Sequence, residues 1–344
     1  MSVQNEYFFT MDTFAETTII TKRAETGKEA VEKIQEICAE IEGRISNTIE
    51  TSEIYKLNDY LKTKADHTSP FYLSDKTIGL LETALYIKEQ TYGAFDPNLG
   101  EIIDLWDINN ADENAVHKLP EKDDFYPAVE KLNNFRYWMS ENNDGVYYDY
   151  SIFFPPKIDL GAIGKGYALD EISDYLVEAG IPNALVSLGG SSVLAAGKNK
   201  DGNLWTIGLK DPLNPDKICG AVYVSDKVIS VSGGYERFIT INGIDYCHII
   251  DPETGYPVDN DLLCVAVVMD SQSALQIKSQ RKKFINNGAI SDALSTALYV
   301  MGKEKALDFY SNSSLDFEMI LFVKDDSERG YDIIPTNVIF SEIK

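Results

Sequence analysis

Asp292 and Thr296 stand one helical turn apart in Ser291-Asp292-Ala293-Leu294-Ser295-Thr296, at the start of an otherwise apolar run. On a helix they share one face, offset by about 40°. A carboxylate and a hydroxyl so placed suit a hard, oxygen-seeking cation such as Mg2+, which takes its remaining ligands from water and phosphate. An aspartate that only complements the helix dipole, beside a threonine bonded back to its own turn, would leave the same trace.

A second segment, Asp159-Leu160-Gly161-Ala162-Ile163-Gly164-Lys165-Gly166-Tyr167, reads as a strand handing over to a helix through a glycine turn. Glycines there let backbone amides approach a phosphate, the helix N-terminus favours the anion, and Lys165 adds a point charge. It is not a Walker loop: Gly161 and Gly164 are wrongly spaced, and Gly166 follows the lysine where Ser or Thr belongs. A tight turn with an exposed lysine is the plainer alternative. Of three histidines, only His248 lies in a dense motif, Tyr246 to Pro257, on an alternating strand that runs into Asp251-Pro252 and Thr254-Gly255. It is a candidate base, although a lone strand histidine is commonly structural. Glycine pairs at Gly189-Gly190 and, after Ser230-Val231-Ser232, at Gly233-Gly234 mark hairpins or close packing.

The elements that must position these groups are legible in outline. Strands at 7–9 and 17–21 flank the turn Met11-Asp12-Thr13. Thr26-Gly27-Lys28-Glu29 has a capping-box pattern before a helix with Val31, Ile34, Ile37, Cys38 and Ile41 on one face. A helix from Asp75 to Thr91 buries Ile78, Leu81, Ala84 and Leu85. A looser segment over 107–157 holds the turn signal Asn142-Asn143-Asp144-Gly145 between aromatic-rich strands. Then come a strand at 157–160, a glycine turn at 161–166, a helix to Ala179 and a strand at 184–188. Short strands near 204–210, 219–224, 227–232, 236–241, 245–250 and 262–269 read as an antiparallel meander. Helices at 291–301 and 303–310 and strands near 317–323 and 337–341 finish the chain. Without a strict βαβ rhythm the fold class is α+β, with mainly antiparallel sheets and helices packed on them.

The chain has 344 residues, 44% of them apolar, enough for a large core in one domain or two closely packed subdomains. Its 31 basic and 55 acidic residues give a net charge of −24, a surface that repels nucleic acid and anionic lipid. A phosphorylated ligand must therefore be bound locally, by amides, a cation or one lysine. Cys38, Cys219, Cys247 and Cys264 lack metal or redox spacing and read as buried thiols. No apolar run is long enough for a transmembrane segment. Met1 to Glu6 lacks a basic n-region and an apolar h-region, so a cytoplasmic protein is expected, or an exported or lipid-anchored one whose signal has been removed.

Taken in order, the segments Phe95-Asp96-Pro97 with Gly100 and Leu105-Trp106, Asp159 to Tyr167, Asn183 to Gly190, Trp205 to Pro212, Ser232 to Arg237, His248 to Pro257 and Ser291 to Gly302 resemble the FAD:protein FMN transferase family, often called ApbE-like. The resemblance covers about 7–312 and implies a single domain over 1–344, with two interleaved subdomains and a flavin-nucleotide cleft between them. It implies Mg2+-dependent transfer of FMN from FAD to a threonine of an acceptor flavoprotein, with release of AMP. It puts Mg2+ on the Ala162 carbonyl, Asp292 and Thr296, and Lys165 at the pyrophosphate. His248 is the implied base, with Asp292 a competing candidate. Met11, Thr13, Thr48, Asp96, Gly189, Gly190, Ser232, Gly233, Glu236, His248 and Asp251 complete the implied FAD site. Two departures stand out. Thr48 occupies a position where the family commonly stacks a tyrosine on the flavin, which keeps FAD pyrophosphatase activity, or non-catalytic flavin binding, open as alternatives. The stretch 270–288, with Lys278, Arg281, Lys282 and Lys283, reads as an insertion: a solvated helix, or a basic flap near the metal.

Overall fold

The computed structural model describes residues 1–63, 71–110, 117–134, 137–139, 145–148, 156–272 and 287–343. The chain opens with strands β1 (Ser2–Thr10) and β2 (Thr13–Thr21), then helices α1 (Ala24–Ile45) and α2 (Glu53–Thr63), strand β3 (Phe71–Tyr72), and helices α3 (Asp75–Gln90), α4 (Gly100–Trp106) and α5 (Lys122–Asn134). Strands β4 (Tyr137–Met139) and β5 (Gly145–Tyr148) precede the long helix α6 (Gly161–Glu178). There follow β6 (Asn183–Leu188), β7 (Ser192–Ala196), β8 (Trp205–Asp211), β9 (Asn214–Val224), β10 (Lys227–Gly233), β11 (Phe238–Ile241), β12 (Ile244–Cys247) and β13 (Leu262–Asp270). The chain ends with α7 (Asn287–Asn312), β14 (Glu318–Lys324), β15 (Tyr331–Pro335) and β16 (Phe340–Glu342).

The main sheet has the order β1-β2-β6-β7-β10-β13-β14-β15, antiparallel throughout. Its central strand β13 reads as one apolar run because both its faces are covered. Val265, Val267 and Met269 face the helical core with α1, α6 and α7, whereas Cys264, Ala266 and Val268 face a second core under the small sheet β16-β9-β8. A third cluster joins α4 and α5 to the β11–β12 hairpin. All four cysteines are buried and free. No described helix is long and apolar enough to cross a membrane.

The deepest contact is the crossing of α6 and α7, where two glycines meet backbone to backbone. A Cβ on Gly166 would lie 2.0 Å from the Gly288 carbonyl oxygen, and one on Gly288 would lie 2.4 Å from that of Gly166. Neither position admits any side chain. Asp170, one turn further along α6, closes the crossing by accepting the amides of Gly288 (2.7 Å) and Ala289 (2.9 Å), the otherwise unpaired N-terminal amides of α7. Burial pushes its carboxyl up to about 8.

Several expectations need correction. Residues 157–160 form no strand: they run irregularly beside the 97–100 turn, through Asp159 N to Pro97 O and Gly100 N to Lys157 O. Gly161 to Gly166 are not a turn but the first turns of α6. The Thr26–Glu29 pattern does not cap α1, which starts at Ala24 after Arg23 with no side-chain cap. In α3, Leu80 and Ile87 are buried, while Leu85 is half-buried. The strands after 204 are no simple meander, because β8 and β9 leave for the second sheet and β11–β12 stand apart as a hairpin. β12 stops at Cys247, so His248 lies just past its end. Six elements among the described residues went unforeseen: α2, β3, α4, α5, β7 and β15. The helical pair expected at 291–310 is α7, broken at Gly302, which sits at φ 75° and ψ 171°. β4 and β5 pair as expected, but Asn142 to Asp144 lie outside the described residues, as do Lys278, Arg281, Lys282 and Lys283.

Candidate functional site

Strand ends and helix starts converge at one end of the main sheet. The β1–β2 turn places Met11 (φ 50°) and Asp12 (φ 55°) in the left-handed region, which a two-residue hairpin demands and non-glycine residues resist. External bonds hold it: Met11 N donates to Glu42 Oε2 at 3.1 Å, and Arg237 reaches the Asp12 carboxylate at 3.1 Å. Next along the sheet, Gly189 and Gly190 turn at φ 68° and 69°, and a Cβ on Gly189 would strike the Thr13 hydroxyl at 2.6 Å. Met11 in turn lies against Gly164 in the first turn of α6. Met11, Thr13, Gly189 and Gly190 are therefore brought together beside Lys165.

Asp292 occupies the centre. Its carboxylate is 6% exposed residue and all, and it accepts the Gly166 amide at 2.9 Å and the Ser192 hydroxyl at 3.2 Å, with a further contribution from the Lys165 amide. In a regular helix those two amides close onto Gly161 and Ala162. Burial pushes the Asp292 carboxyl above the ordinary aspartate range, opposed first by the charge of Lys165. Thr296 follows one turn later on the same face. Its hydroxyl lies 3.1 Å from that of Ser232, which also meets Ser295 at 2.8 Å. Gly233 ends β10 against Cys264, where a Cβ would approach to 2.7 Å. Among the described residues no group of three His, Cys, Asp or Glu side chains gathers as a metal cluster, so any cation here would depend on one carboxylate with neutral oxygens.

His248 is half-buried and faces the same charges. Its Nδ1 lies 3.2 Å from the Arg237 carbonyl, which only accepts, so Nδ1 carries the proton and the lone pair sits on Nε2. Burial lowers its pKa to about 4, opposed by the bond to the Arg237 carbonyl and helped by the charges of Arg237 and Lys165. At neutral pH the ring is uncharged.

The remaining predicted residues lie at the margins. Thr48 is exposed, on a loop where it bonds Ser46; neighbouring Asn47 donates to Asp159 Oδ2 at 2.6 Å, which ties that loop to the start of α6. Asp159 also accepts Gly161 N at 2.7 Å, and burial raises its pKa. Glu236 is exposed beyond β10. Asp96 is buried and pairs with Lys88 at 2.6 Å. Asp251 spends both oxygens inside its own turn, on Glu253 N and the Thr254 hydroxyl. Asp96 and Asp251 nevertheless line one cavity. Sequence reasoning missed Ser192, Asn47 and Asp170: each acts on a residue far away in the chain, and none carries a local pattern.

The model of the ApbE family matches residues 11–321. The FAD:protein FMN transferase of Escherichia coli K12 is 27% identical over 312 residues, covering 90% of this chain and 82% of that one. That of Treponema pallidum is 32% identical over 252 residues, covering 70% and 63%. The ApbE protein of Thermotoga maritima superposes with a TM-score of 0.78 at 26% identity, covering 98% of this chain and 97% of that one. The flavin transferase ApbE of Vibrio cholerae gives 0.76 at 24%, a likeness of fold, over 98% of both chains. With the family's model matched over nearly the whole chain and its fold reproduced from end to end, this protein belongs to the ApbE family.

Proposed function

We propose that the chain catalyses Mg2+-dependent transfer of FMN from FAD to a threonine hydroxyl of an acceptor flavoprotein, with release of AMP. The observation that carries this reading is Asp292, a buried carboxylate held by an amide and a hydroxyl and opposed in its desolvation by the charge of Lys165. Such a group favours a cation. Thr296 adds a neutral oxygen on the same face, and the Ala162 carbonyl, in the first turn of α6 whose Gly166 amide meets Asp292, would be the third ligand. This all-oxygen set fits Mg2+. Bound there, the ion would neutralise charge on the phosphate as its bond to AMP breaks.

The chain's own groups supply the rest. Lys165 holds the pyrophosphate as a point charge. Met11, Thr13, Gly189, Gly190, Ser232, Gly233 and Glu236 border the nucleotide. His248, uncharged above about pH 4, takes the hydroxyl proton on Nε2 as the threonine oxygen attacks the flavin-side phosphorus. The new O–P bond forms, the P–O bond to AMP breaks, and AMP leaves with the electron pair. Asp292, as a metal ligand, is the weaker candidate for that proton.

Thr48 favours a second reading. It offers no aromatic face, and its hydroxyl is turned to Ser46, so water rather than a protein hydroxyl could accept the FMN. Incubation with FAD, Mg2+ and a flavoprotein acceptor separates the two. Acceptor mass increased by FMN, with AMP appearing only when acceptor is present, is the expected result; FMN and AMP released equally fast without acceptor would make the enzyme a pyrophosphatase.

A further inference from the structure

Ser192 and Ser230 stand side by side in the main sheet, paired across β7 and β10, and both are 0% exposed. Strand alternation turns both toward α7. Leu194 and Val228, two residues away along each strand, belong to the helical core, whereas Val193 and Ile229 belong to the core under the small sheet. The two serines differ in what their hydroxyls meet. That of Ser192 donates to Asp292 Oδ1 at 3.2 Å, while that of Ser230 has no hydrogen-bond partner among the described residues.

The bond from Ser192 has a geometric consequence for Asp292. The last torsion of an aspartate is broad and roughly two-fold, so the carboxylate plane swings unless an outside group fixes it. The Gly166 amide holds Oδ2 at 2.9 Å, and a single contact leaves the plane free to turn about it. Ser192 supplies a second contact, on the other oxygen and from the other side. One clamp comes from α6 and one from β7, and together they set the direction of the lone pairs that remain. Mg2+ demands near-ideal octahedral geometry, so a carboxylate aimed in advance binds it more tightly than one that must be ordered on binding. Ser192 is itself fixed: it sits in the ladder between Leu188 and Ser230, and the carbonyl of Ser191 accepts Val231 N at 2.7 Å.

We propose that Ser192 is a positioning residue for the cation, setting the plane of the Asp292 carboxylate, and that Ser230 at the same depth takes no part. The inference rests on the Mg2+ reading above and deepens it.

Mn2+, which suits the same oxygen ligands, is the probe. Its uptake by the full chain is followed by loss of the free-ion paramagnetic resonance signal, with Mg2+ as competitor. Surface carboxylates of a chain at net charge −24 also take Mn2+, so the site is defined as the binding that Asp292→Ala removes. Ser192→Ala is expected to weaken that binding about tenfold or more, and Ser230→Ala to leave it unchanged. Both substitutions delete one buried hydroxyl from the same face of the sheet, so a general loosening would act on both. Wild-type affinity in Ser192→Ala, or equal losses in the two variants, overturns the proposal alone. Identical uptake by the wild type and Asp292→Ala overturns the Mg2+ reading together with it. The rise in melting temperature that saturating Mn2+ gives each variant, taken against its own metal-free value, repeats the test with any loss of basal stability cancelled.

Discussion

The two halves of the candidate site are built by opposite means. Around Asp292 the groups are buried, come from two helices and three strand ends, and are spaced by backbone contacts that admit no added atom. Around Thr48 they stand on a loop, exposed or half-buried and fastened by a few side-chain bonds. The difference follows from what each half must hold. Phosphate and metal need fixed charge in a dry, rigid setting, where electrostatics are strong and reorganisation is small. A flat ring needs mainly a face and one or two polar contacts, which loops can supply in many ways.

The sharpest test of the buried half is Asp292→Ala. Removal of the one carboxylate should lower Mg2+-dependent FMN transfer about a thousandfold or more, with circular dichroism unchanged. Transfer at a wild-type rate would remove the metal assignment and with it the contrast between the halves.

Next in size is the glycine crossing. Gly166→Ala should cost about 3 kcal/mol or more, because its Cβ would meet a backbone oxygen at 2.0 Å and the Asp292 Cβ at 2.7 Å. Gly43→Ala in α1 is the control: nothing lies within 4 Å of the added carbon, and a gain of up to about 1 kcal/mol is expected. Thermal melts of the two variants should move in opposite directions. Equal shifts would mean that the crossing is not rigid.

Asp170 sets a smaller, pH-dependent effect in the same half. Its folded pKa of about 8 lies above the ordinary value, so the folded state binds this proton more tightly than the unfolded chain. Its contribution is complete below about pH 4 and is lost as the pH rises through 8. Melting temperature should fall from pH 5 to pH 9 by a margin on the order of a few kcal/mol of stability. Asp170→Asn should flatten that slope, while costing about 1–3 kcal/mol at low pH by leaving one α7 amide poorly paired.

The buried half was also the more legible in the sequence, though for mixed reasons. Asp292 and Thr296 announced a shared face because helical period is strict and their run is apolar on every side. Lys165 was found through its glycines, but the glycines were misread. Local pattern assigns Gly161-Ala162-Ile163-Gly164-Lys165-Gly166 to a turn, since glycine is the usual residue there. Its actual role depends on Gly288 and Ile45, contacts that no window of sequence contains. Ser192 and Asp170 escaped for the same reason, and β7 because Ser192 to Ala196 is short and buried on both faces. In the open half Thr48 was named only through the family resemblance, since an exposed loop residue carries no period that sequence can show.

The mildest expected effect probes the open half. Thr48 is exposed on a loop whose geometry is kept by other groups: Ser52 Oγ donates to the Ser46 carbonyl, Ile49 N donates to Ser46 Oγ at 3.1 Å, and Asn47 holds Asp159. Thr48→Tyr removes one hydroxyl contact to Ser46 and sets a ring beside the start of α6, so the fold should tolerate it. One added aromatic face contributes about 0.5–1.5 kcal/mol, hence FAD affinity should rise about threefold to tenfold. Titration in Mg2+ without acceptor should show the gain for FMN as well as FAD and not for AMP, because the added ring faces the flavin end. An equal gain for AMP would mean that position 48 serves the adenine end of the ligand instead.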